Sequence, residues 1–271
     1  MKNINKLFNN ILTEVNLLTS ITEIINSVAQ HIKEADNVVI FTGAGISVPS
    51  GVPDFRSPGG LWDKYDPYEV STLRAFKKKP VRVWEFFRDL YENFGDTKPN
   101  VAHFCVTEIQ EMFGTDKIHI VTQNIDGLHI KSGSKNVYEV HGNAELMHCI
   151  KCSFEEELDE DKHLKVLPYP ECPKCGKPLK PKVVLFEELL DPSIMREAMR
   201  LAVKSNIAIG IGTSLGVFPA ADIVLAPPPS TKKAIFNLTP TYYDHLIHYR
   251  VKGDVVETLP WLVEALKSEN Q

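Results

Sequence analysis

Apolar positions along the chain alternate between two patterns. From residue 20 onward they recur at the spacing of one helix face, at Ile21, Ile24, Ile25, Val28 and Ile32. Ser20 and Glu23 have the spacing of a capping box, which favours a helix start there. The next segment, Asn37–Thr42, is an almost unbroken apolar run. Such a run is typical of a strand buried on both faces of a parallel sheet.

Three further apolar runs resemble this first strand: Ile118–Val121, Ile207–Ile211 and Ala234–Phe236. Helical patterns lie between them, around residues 80–94, 101–113 and 192–204. Strands that alternate with helices in this way predict an α/β fold, a Rossmann-like doubly wound parallel sheet.

Residues 145–182 interrupt the alternation. They contain four of the five cysteines, several prolines and the charged stretch Glu155–Lys165. We therefore predict a small inserted module over 145–182. The Rossmann-like domain then comprises residues 20–144 and 183–271, and the Asn-rich residues 1–19 form an N-terminal extension.

The inserted module carries two C-x-x-C pairs. Cys149 and Cys152 form the first, and after 19 residues Cys172 and Cys175 form the second. This spacing predicts a zinc ribbon, in which four thiolates hold Zn²⁺ and leave no coordination position for a substrate, so that the metal is structural. The alternative, a redox C-x-x-C, needs only one pair. The fifth cysteine, Cys105, lies in a helical pattern and is expected to be buried and inert.

Composition narrows the class of protein. The 271 residues are 43% hydrophobic and carry a net charge of −5, as in an ordinary globular protein. The sequence has no basic stripe of the kind that binds nucleic acids directly. A mildly acidic surface would suit a lysine-rich partner. No apolar stretch is long enough to span a membrane, and the first residues lack a secretory pattern. We therefore expect a protein of a reducing, cytoplasmic compartment without membrane partners.

A glycine-rich loop follows the first predicted strand. Gly43, Ala44, Gly45 and Ile46 would let the backbone approach a pyrophosphate closely. A glycine turn without a ligand would explain this loop alone equally well. Val48 occupies the third glycine position of a dinucleotide fingerprint, and no ribose-binding acid follows about 20 residues later. A hydride-transferring dehydrogenase is therefore disfavoured.

Polar side chains also follow the strand Ile118–Val121. Gln123, Asn124 and Asp126 would lie at a carboxyl strand end, where ligands bind in open parallel sheets. The alternative is a solvated loop in which Asp126 caps the next helix.

Together these segments resemble the sirtuin family of NAD-dependent protein deacylases. GAGISVPSGVPDFR at 43–56, TQNIDGLH at 122–129 and His141-Gly142 occur in family order, within a resemblance that spans about residues 25–265. The resemblance implies that acetyl or similar acyl groups are removed from lysine side chains of peptides or proteins, giving nicotinamide and O-acyl-ADP-ribose. NAD and a structural Zn²⁺ would be the cofactors.

The resemblance also implies roles for individual residues. His141 would act as the general base, since histidine titrates near neutrality, and Asn124 would assist in the nicotinamide pocket. His103 and His129 are expected to be structural. The expected cofactor-binding residues are Gly43, Ala44, Gly45, Ile46, Asp54, Phe55, Arg56, Gln123, Asn124, Asp126, His141, Gly212, Thr213, Ser214, Asn237, Asp254 and Val255. The expected substrate-binding residues are Val184, Leu185, Phe186, Glu187 and Val217.

The chain departs from the family pattern at two places. Glu187 stands where the family usually has glycine, next to the acyl-lysine. Phe87 and Leu90 stand where succinyl-removing members carry tyrosine and arginine, so we expect a preference for neutral acyl groups. Two alternatives use the same fold: a protein mono-ADP-ribosyltransferase or NAD hydrolase, kept open by Glu187, and a non-catalytic reader, disfavoured because His141 and Asn124 are present.

Overall fold

The computed structural model describes residues 19–54 and 60–268. Its strands are β1 (Val38–Thr42), β2 (Ile118–Thr122), β3 (Tyr138–Glu139), β4 (Gly142–Cys149), β5 (Glu155–Glu157), β6 (Leu179–Val183), β7 (Ile207–Ile211), β8 (Lys232–Asn237) and β9 (Tyr249–Lys252). Its α-helices are α1 (19–34), α2 (Leu61–Lys64), α3 (Pro67–Val70), α4 (Leu73–Lys78), α5 (Pro80–Phe94), α6 (Val101–Phe113), α7 (Leu128–Lys131), α8 (Pro192–Lys204), α9 (Asp222–Leu225) and α10 (Val255–Lys267). Short 3₁₀ turns lie at Ala44–Ile46, Val48–Ser50 and Asp244–Leu246, and a π-helical turn at Glu160–Leu164.

Six strands form a parallel sheet in the order β3-β2-β1-β7-β8-β9. Val38 and Ile40 of the central strand β1 face one apolar layer, formed with α1, α6 and α10. Val39 and Phe41 face a second layer, formed with α8 and α9. Helices thus cover both faces of the sheet, which explains why β1 is an apolar run without alternation. The predicted Rossmann-like fold is confirmed.

A second, antiparallel sheet has the order β5-β4-β6. The chain enters it at Gly142 and leaves it at Val183, and these two residues are paired neighbours. Gly142 has φ +80°, and a β-carbon there would overlap the Lys182 carbonyl oxygen. The position therefore requires glycine, because it combines a left-handed backbone with a close backbone neighbour.

Helices α3, α4 and α5 pack on this small sheet through a third apolar cluster. Trp84 is fully buried there and donates an indole N–H bond to the Leu179 carbonyl over 2.8 Å. Part of the segment before residue 144 thus packs with the small sheet, and the predicted domain boundaries stay a prediction.

At the N-terminal end, residues 1–18 lie outside the described residues. Helix α1 already includes residue 19, so Ser20 lies inside the helix and the predicted cap at Ser20 is wrong. Within 19–54 and 60–268, every helix is too short or too polar to cross a membrane.

Candidate functional site

The carboxyl ends of the six parallel strands meet at one edge of the large sheet, and the predicted cofactor residues follow them. Residues 43–47 follow β1, 123–126 follow β2, His141 follows β3, 212–217 follow β7, Asn237 ends β8 and 253–255 follow β9. Asp54 lies beyond the 3₁₀ turns after β1. Phe55 and Arg56 lie outside the described residues.

A crevice between β1 and β7 marks the point where the strand order reverses, since β2 and β3 lie on one side and β8 and β9 on the other. The Gly43 N–H donates to the Ile211 carbonyl over 3.0 Å, and the Gly45 N–H donates to the Gly212 carbonyl over 2.8 Å. A β-carbon on Gly43, Gly45 or Gly212 would collide with the opposite loop. We call these three residues the glycine crevice. A switch point of this kind is where dinucleotides bind in open α/β sheets.

Asn124 and Asp126 are joined through Ser47, which the sequence prediction did not include as a site residue. The Asn124 Nδ2 amide donates to the Gly43 carbonyl over 3.0 Å and to Ser47 Oγ over 3.2 Å. Ser47 Oγ donates to Asp126 Oδ2 over 2.7 Å. Its position inside the GAGIS stretch is the sequence signal that could have identified Ser47.

Burial raises the pKa of the Asp126 carboxyl, against the lowering effect of hydrogen bonds from the Leu128 N–H and Ser47. The Leu128 N–H donates to Asp126 Oδ1 over 3.0 Å at the first residue of α7. Asp126 therefore accepts a bond from the first residue of α7 with one oxygen and joins the Asn124 network with the other. The N-cap position of α7 is Gly127, so the alternative in which Asp126 is the N-cap is wrong.

Gln123 connects the β2 loop to the β7 loop across β1. Its Nε2 amide donates to Thr213 Oγ1 over 3.0 Å, and that oxygen also accepts the Leu215 N–H over 3.1 Å. Thr213 is thus buried, and its hydroxyl is engaged in hydrogen bonds within the protein. Ser214, at the same edge, is exposed.

The outer part of the edge is built by β8 and β9. The Gly253 N–H donates to the Asn237 carbonyl over 3.2 Å, which brings the two loops together. Asp254 caps α10 through the Val256 N–H, and Val255 is buried. Val255 can therefore offer a ligand its backbone more readily than its side chain.

His141 is oriented by a backbone bond. Its Nδ1 lies 3.0 Å from the Gln123 carbonyl oxygen, and because a carbonyl only accepts, Nδ1 carries the proton. Nε2 is then the unprotonated nitrogen, and the described residues give it no hydrogen-bond partner. Burial lowers the pKa of His141, so the ring is neutral at neutral pH. This is the form required of a general base.

A buried polar layer lies beneath the glycine crevice. Thr42 Oγ1 donates to Thr122 Oγ1 over 2.8 Å and lies 2.8 Å from His129 Nε2. The His129 ring packs edge-on against His103, with the centroids 5.1 Å apart, and His103 caps the backbone at Asn100. Both histidines are buried, as expected for structural residues.

Residues 184–188, which we call the substrate segment, continue β6. The Val184 N–H donates to the His141 carbonyl over 2.7 Å, which ties the segment to His141. Phe186 pairs with residues 71–73: its N–H donates to the Ser71 carbonyl over 2.8 Å and its carbonyl accepts the Leu73 N–H over 2.9 Å. Leu185 is buried, Phe186 is half-exposed and Val217 on the opposite loop is partly buried.

Glu187 has φ +72°, a left-handed conformation that favours glycine. One oxygen of its carboxylate accepts the Arg74 N–H over 3.2 Å, and the other lies 3.2 Å from the Arg74 guanidinium. These bonds offset the backbone strain and hold the segment against α4.

Lys180 anchors the segment from below. The side chain is completely buried, and its Nζ lies 3.1 Å from Glu188 Oε2, which also accepts the Leu185 N–H over 2.8 Å. Burial lowers the pKa of Lys180, and the Glu188 carboxylate opposes that shift.

The four predicted metal ligands come together at one point. The sulfur atoms of Cys149, Cys152, Cys172 and Cys175 all lie within 4.8 Å of one another, and the Cys149–Cys175 and Cys152–Cys172 separations are 3.5 and 3.6 Å. Tetrahedral Zn²⁺ with Zn–S bonds of about 2.3 Å requires sulfurs about 3.8 Å apart. The site therefore fits a four-thiolate zinc ion.

Comparison with known proteins agrees with this geometry. The Sir2 family profile matches residues 43–219. The NAD-dependent protein deacylase of Pyrococcus furiosus is 38% identical over 247 residues, covering 90% of this chain and 98% of the relative. The NAD-dependent protein deacetylase 1 of Pyrobaculum aerophilum is 38% identical, covering 91% and 96%.

Solved structures give the same result. A Sir2 homologue in complex with NAD superposes with a TM-score of 0.81 at 33% identity, covering 89% of this chain and 93% of its own. A Sir2 protein bound to a deacetylated p53 peptide and 3′-O-acetyl-ADP-ribose superposes with a TM-score of 0.82 at 34% identity, covering 88% and 96%. The chain belongs to the Sir2 family.

Proposed function

We propose that this protein is an NAD-dependent protein-lysine deacylase that transfers acetyl or other neutral acyl groups from lysine side chains to ADP-ribose and releases nicotinamide. One observation carries the proposal. The glycine crevice, the Asn124–Ser47–Asp126 network and the neutral His141 all lie at the same edge of the sheet, beside the substrate segment.

The residues at this edge fit NAD. The glycine crevice offers backbone groups at the point where the strand order reverses, which suits a pyrophosphate. The exposed Ser214 and Asn237, the last residue of β8, suit ribose hydroxyls. Asn124 and Asp126 present an amide and a carboxylate, which suit the nicotinamide carboxamide. When bound, NAD supplies the ribose carbon that accepts the acyl oxygen as nicotinamide departs.

The residues of this chain then position the reactants and move one proton. His141 Nε2 takes the proton from the attacking hydroxyl, and the Nδ1–H bond to the Gln123 carbonyl holds the ring in the required tautomer. Asn124 is fixed by two bonds from its own amide, so it lies pre-oriented at the pocket. The small sheet, closed by the zinc site, holds the substrate segment beside this base and helps to exclude water.

The named relatives support the activity. Proteins from Pyrococcus furiosus and Pyrobaculum aerophilum carry the names NAD-dependent protein deacylase and deacetylase, and each covers at least 90% of this chain. A related Sir2 structure holds both a deacetylated peptide and 3′-O-acetyl-ADP-ribose. The cytoplasmic location is part of the proposal and is supported by five free cysteines, four of them grouped as metal ligands.

The preference for neutral acyl groups is supported by packing. Phe87 is buried, and Leu90 packs against the same apolar cluster on α5. Neither can pair with an acyl carboxylate. Acetyl- and succinyl-lysine versions of one peptide would be compared. We expect turnover of the succinyl form to be at least about tenfold slower, because its carboxylate lacks a charge-assisted hydrogen bond in this pocket. Equal turnover would overturn the preference.

The activity is tested by incubating the protein with NAD and an acetyl-lysine peptide and identifying the products by mass spectrometry. We expect deacetylated peptide, nicotinamide and O-acetyl-ADP-ribose with the wild type, and neither deacetylated peptide nor O-acetyl-ADP-ribose with His141→Ala. His245→Ala, a change of the same size at an exposed histidine, should leave the products unchanged. Nicotinamide release without peptide turnover, or ADP-ribose attached to protein, would favour the hydrolase or transferase alternative.

A further inference from the structure

An open cleft of about 310 Å³ lies beside the substrate segment, lined by Leu73, Arg74, Lys77, Lys78 and Glu187. Arg74, Lys77 and Lys78 are three and four residues apart on α4, so they share one exposed face of the helix. We call this feature the basic cleft. It lies outside the cofactor edge and contains none of the residues assigned to base catalysis.

The charge of the basic cleft is unbalanced. Glu187 is its one carboxylate, and it is engaged by Arg74 at 3.2 Å. Among the described residues, Lys77 and Lys78 form no ion pair, while the neighbouring Lys79 lies 3.9 Å from Glu69. Three cations therefore face one carboxylate, which leaves a local excess of positive charge on a chain whose net charge is −5.

The basic cleft is continuous with the substrate segment. Glu187 belongs to both, and the N–H of Leu73, at the cleft wall, donates to the Phe186 carbonyl over 2.9 Å. An extended peptide advances about 3.3 Å per residue. A side chain close to the acyl-lysine of a peptide bound along the segment would therefore reach Lys77 and Lys78.

We propose that the basic cleft selects substrates with an acidic side chain close to the acyl-lysine. This inference rests on the proposed deacylase function and names a substrate class for the same site. The Arg74–Glu187 pair closes one wall of the cleft, and Lys77 and Lys78 supply the free charges that meet an aspartate or glutamate. The Arg74 guanidinium, 3.2 Å from the Glu187 carboxylate, offsets the charge that would otherwise favour a basic peptide.

The test uses acetyl-lysine peptides that differ at one position, with Asp, Ala or Lys placed in turn at each position flanking the acetyl-lysine. At the favoured position we expect kcat/KM for the Asp peptide to exceed that for the Ala peptide about two- to fivefold, mainly through KM. The advantage should shrink at high salt, because exposed charges are screened. The double variant Lys77→Glu with Lys78→Glu should reverse the preference towards the Lys peptide.

Lys204→Glu provides a matched control, because it reverses an exposed charge on α8, which packs against β1, β3 and α9. Binding of fluorescent peptides without NAD, followed by anisotropy, measures the same preference independently of turnover. Equal binding of Asp and Ala peptides at every position would overturn the inference while deacylation stands. If the wild type binds Asp peptides preferentially but turns over none of the peptides, the proposed function is overturned and the basic cleft remains a binding site for acidic peptides.

Discussion

At the scale of single residues, the site depends on glycine positions that carry no β-carbon. Gly43, Gly45 and Gly212 let two loops approach so closely that no β-carbon fits between them. The sequence predicted that glycines would permit a close approach to a ligand. It could not predict that they also permit loop-to-loop contact, because the partner loops are about 170 residues apart along the chain.

We expect Gly212→Ala to abolish NAD binding and to lower the free energy of unfolding by more than the usual cost of a left-handed residue. Gly212 has φ +58°, and its added methyl group would overlap the backbone of Gly45 and Ile46. Gly114→Ala is the matched control, because φ is +84° and no atom lies within 4 Å. Its ψ of 156° lies in a region that is almost restricted to glycine, so this variant should also lose stability, by about 1–3 kcal/mol, but it should leave NAD affinity unchanged. Calorimetric titration and denaturant unfolding measure both effects.

Two buried histidines predict a dependence of stability on pH. Burial lowers the pKa of His103 to about 4 and that of His129 to about 3, from an ordinary value of 6.5. The unfolded chain therefore takes up protons below about pH 6.5 that the folded protein does not. The stability contributed by the neutral rings is complete above that pH and is lost as the pH falls towards the folded values.

Denaturant unfolding between pH 7 and pH 4.5 should show this loss, at up to about 1.4 kcal/mol per pH unit for each histidine. His129→Gln should make the dependence less steep, whatever its effect on stability at pH 7. His245→Gln, at an exposed position, should leave the slope as in the wild type. An unchanged slope in His129→Gln would contradict the assignment.

At the scale of elements, the sequence predicted the strands that are buried on both faces of the sheet. Strands β1, β2, β7 and β8 are apolar runs, because helices cover both sides of the sheet. Strand β9 was not predicted, since it lies at the sheet margin and mixes polar with apolar residues. The short helices α2, α3 and α4 were missed because four to six residues carry no helical period.

The substrate segment was predicted from its resemblance to a family motif, but its attachment was not. The buried contact between Lys180 and Glu188 links two polar residues that separation along the chain does not mark as partners. The pairing of Phe186 with residues 71–73 joins distant parts of the chain, whereas Lys180 and Glu188 are close in sequence. Such contacts depend on how elements pack, which local sequence does not encode.

Removing one partner of the buried pair should be costly. Glu188→Gln leaves the Lys180 ammonium buried without its carboxylate, so we expect a loss of about 3 kcal/mol in the free energy of unfolding and a higher KM for peptide. Glu85→Gln removes the exposed partner of Arg82, at 3.1 Å, and should cost less than about 1 kcal/mol. Similar losses in the two variants would show that the buried pair does not stabilise the segment.

At the scale of the whole molecule, the candidate site is built from two sheets of different kinds. The large parallel sheet collects at one edge the loops that we propose bind NAD, and the small antiparallel sheet carries the four-cysteine cluster and the substrate segment. The four-cysteine spacing was sufficient to predict the cluster, because two C-x-x-C pairs at this separation are typical of a single four-thiolate zinc site. The packing of α3, α4 and α5 on the small sheet was not evident from sequence.

Zinc removal should therefore affect stability and peptide binding together. We expect one Zn²⁺ per chain by elemental analysis, and a lower Tm with loss of deacylation after chelation or in Cys172→Ser. Cys105→Ala should keep the metal, since Cys105 is buried on α6 away from the cluster. Full activity in a zinc-free protein would contradict a structural role for the metal.

The paired positions Gly142 and Val183 place the two chain ends of the small sheet side by side, while α3, α4 and α5 pack on the sheet through a shared apolar cluster. An insertion whose two ends are neighbours can lengthen, shorten or be exchanged with little disturbance of its host. A zinc module grafted from a relative at 142 and 183 would need to keep the apolar surface that meets α3, α4 and α5. Such a graft should leave the peptide preference unchanged, because α4 and residues 184–188 lie outside it.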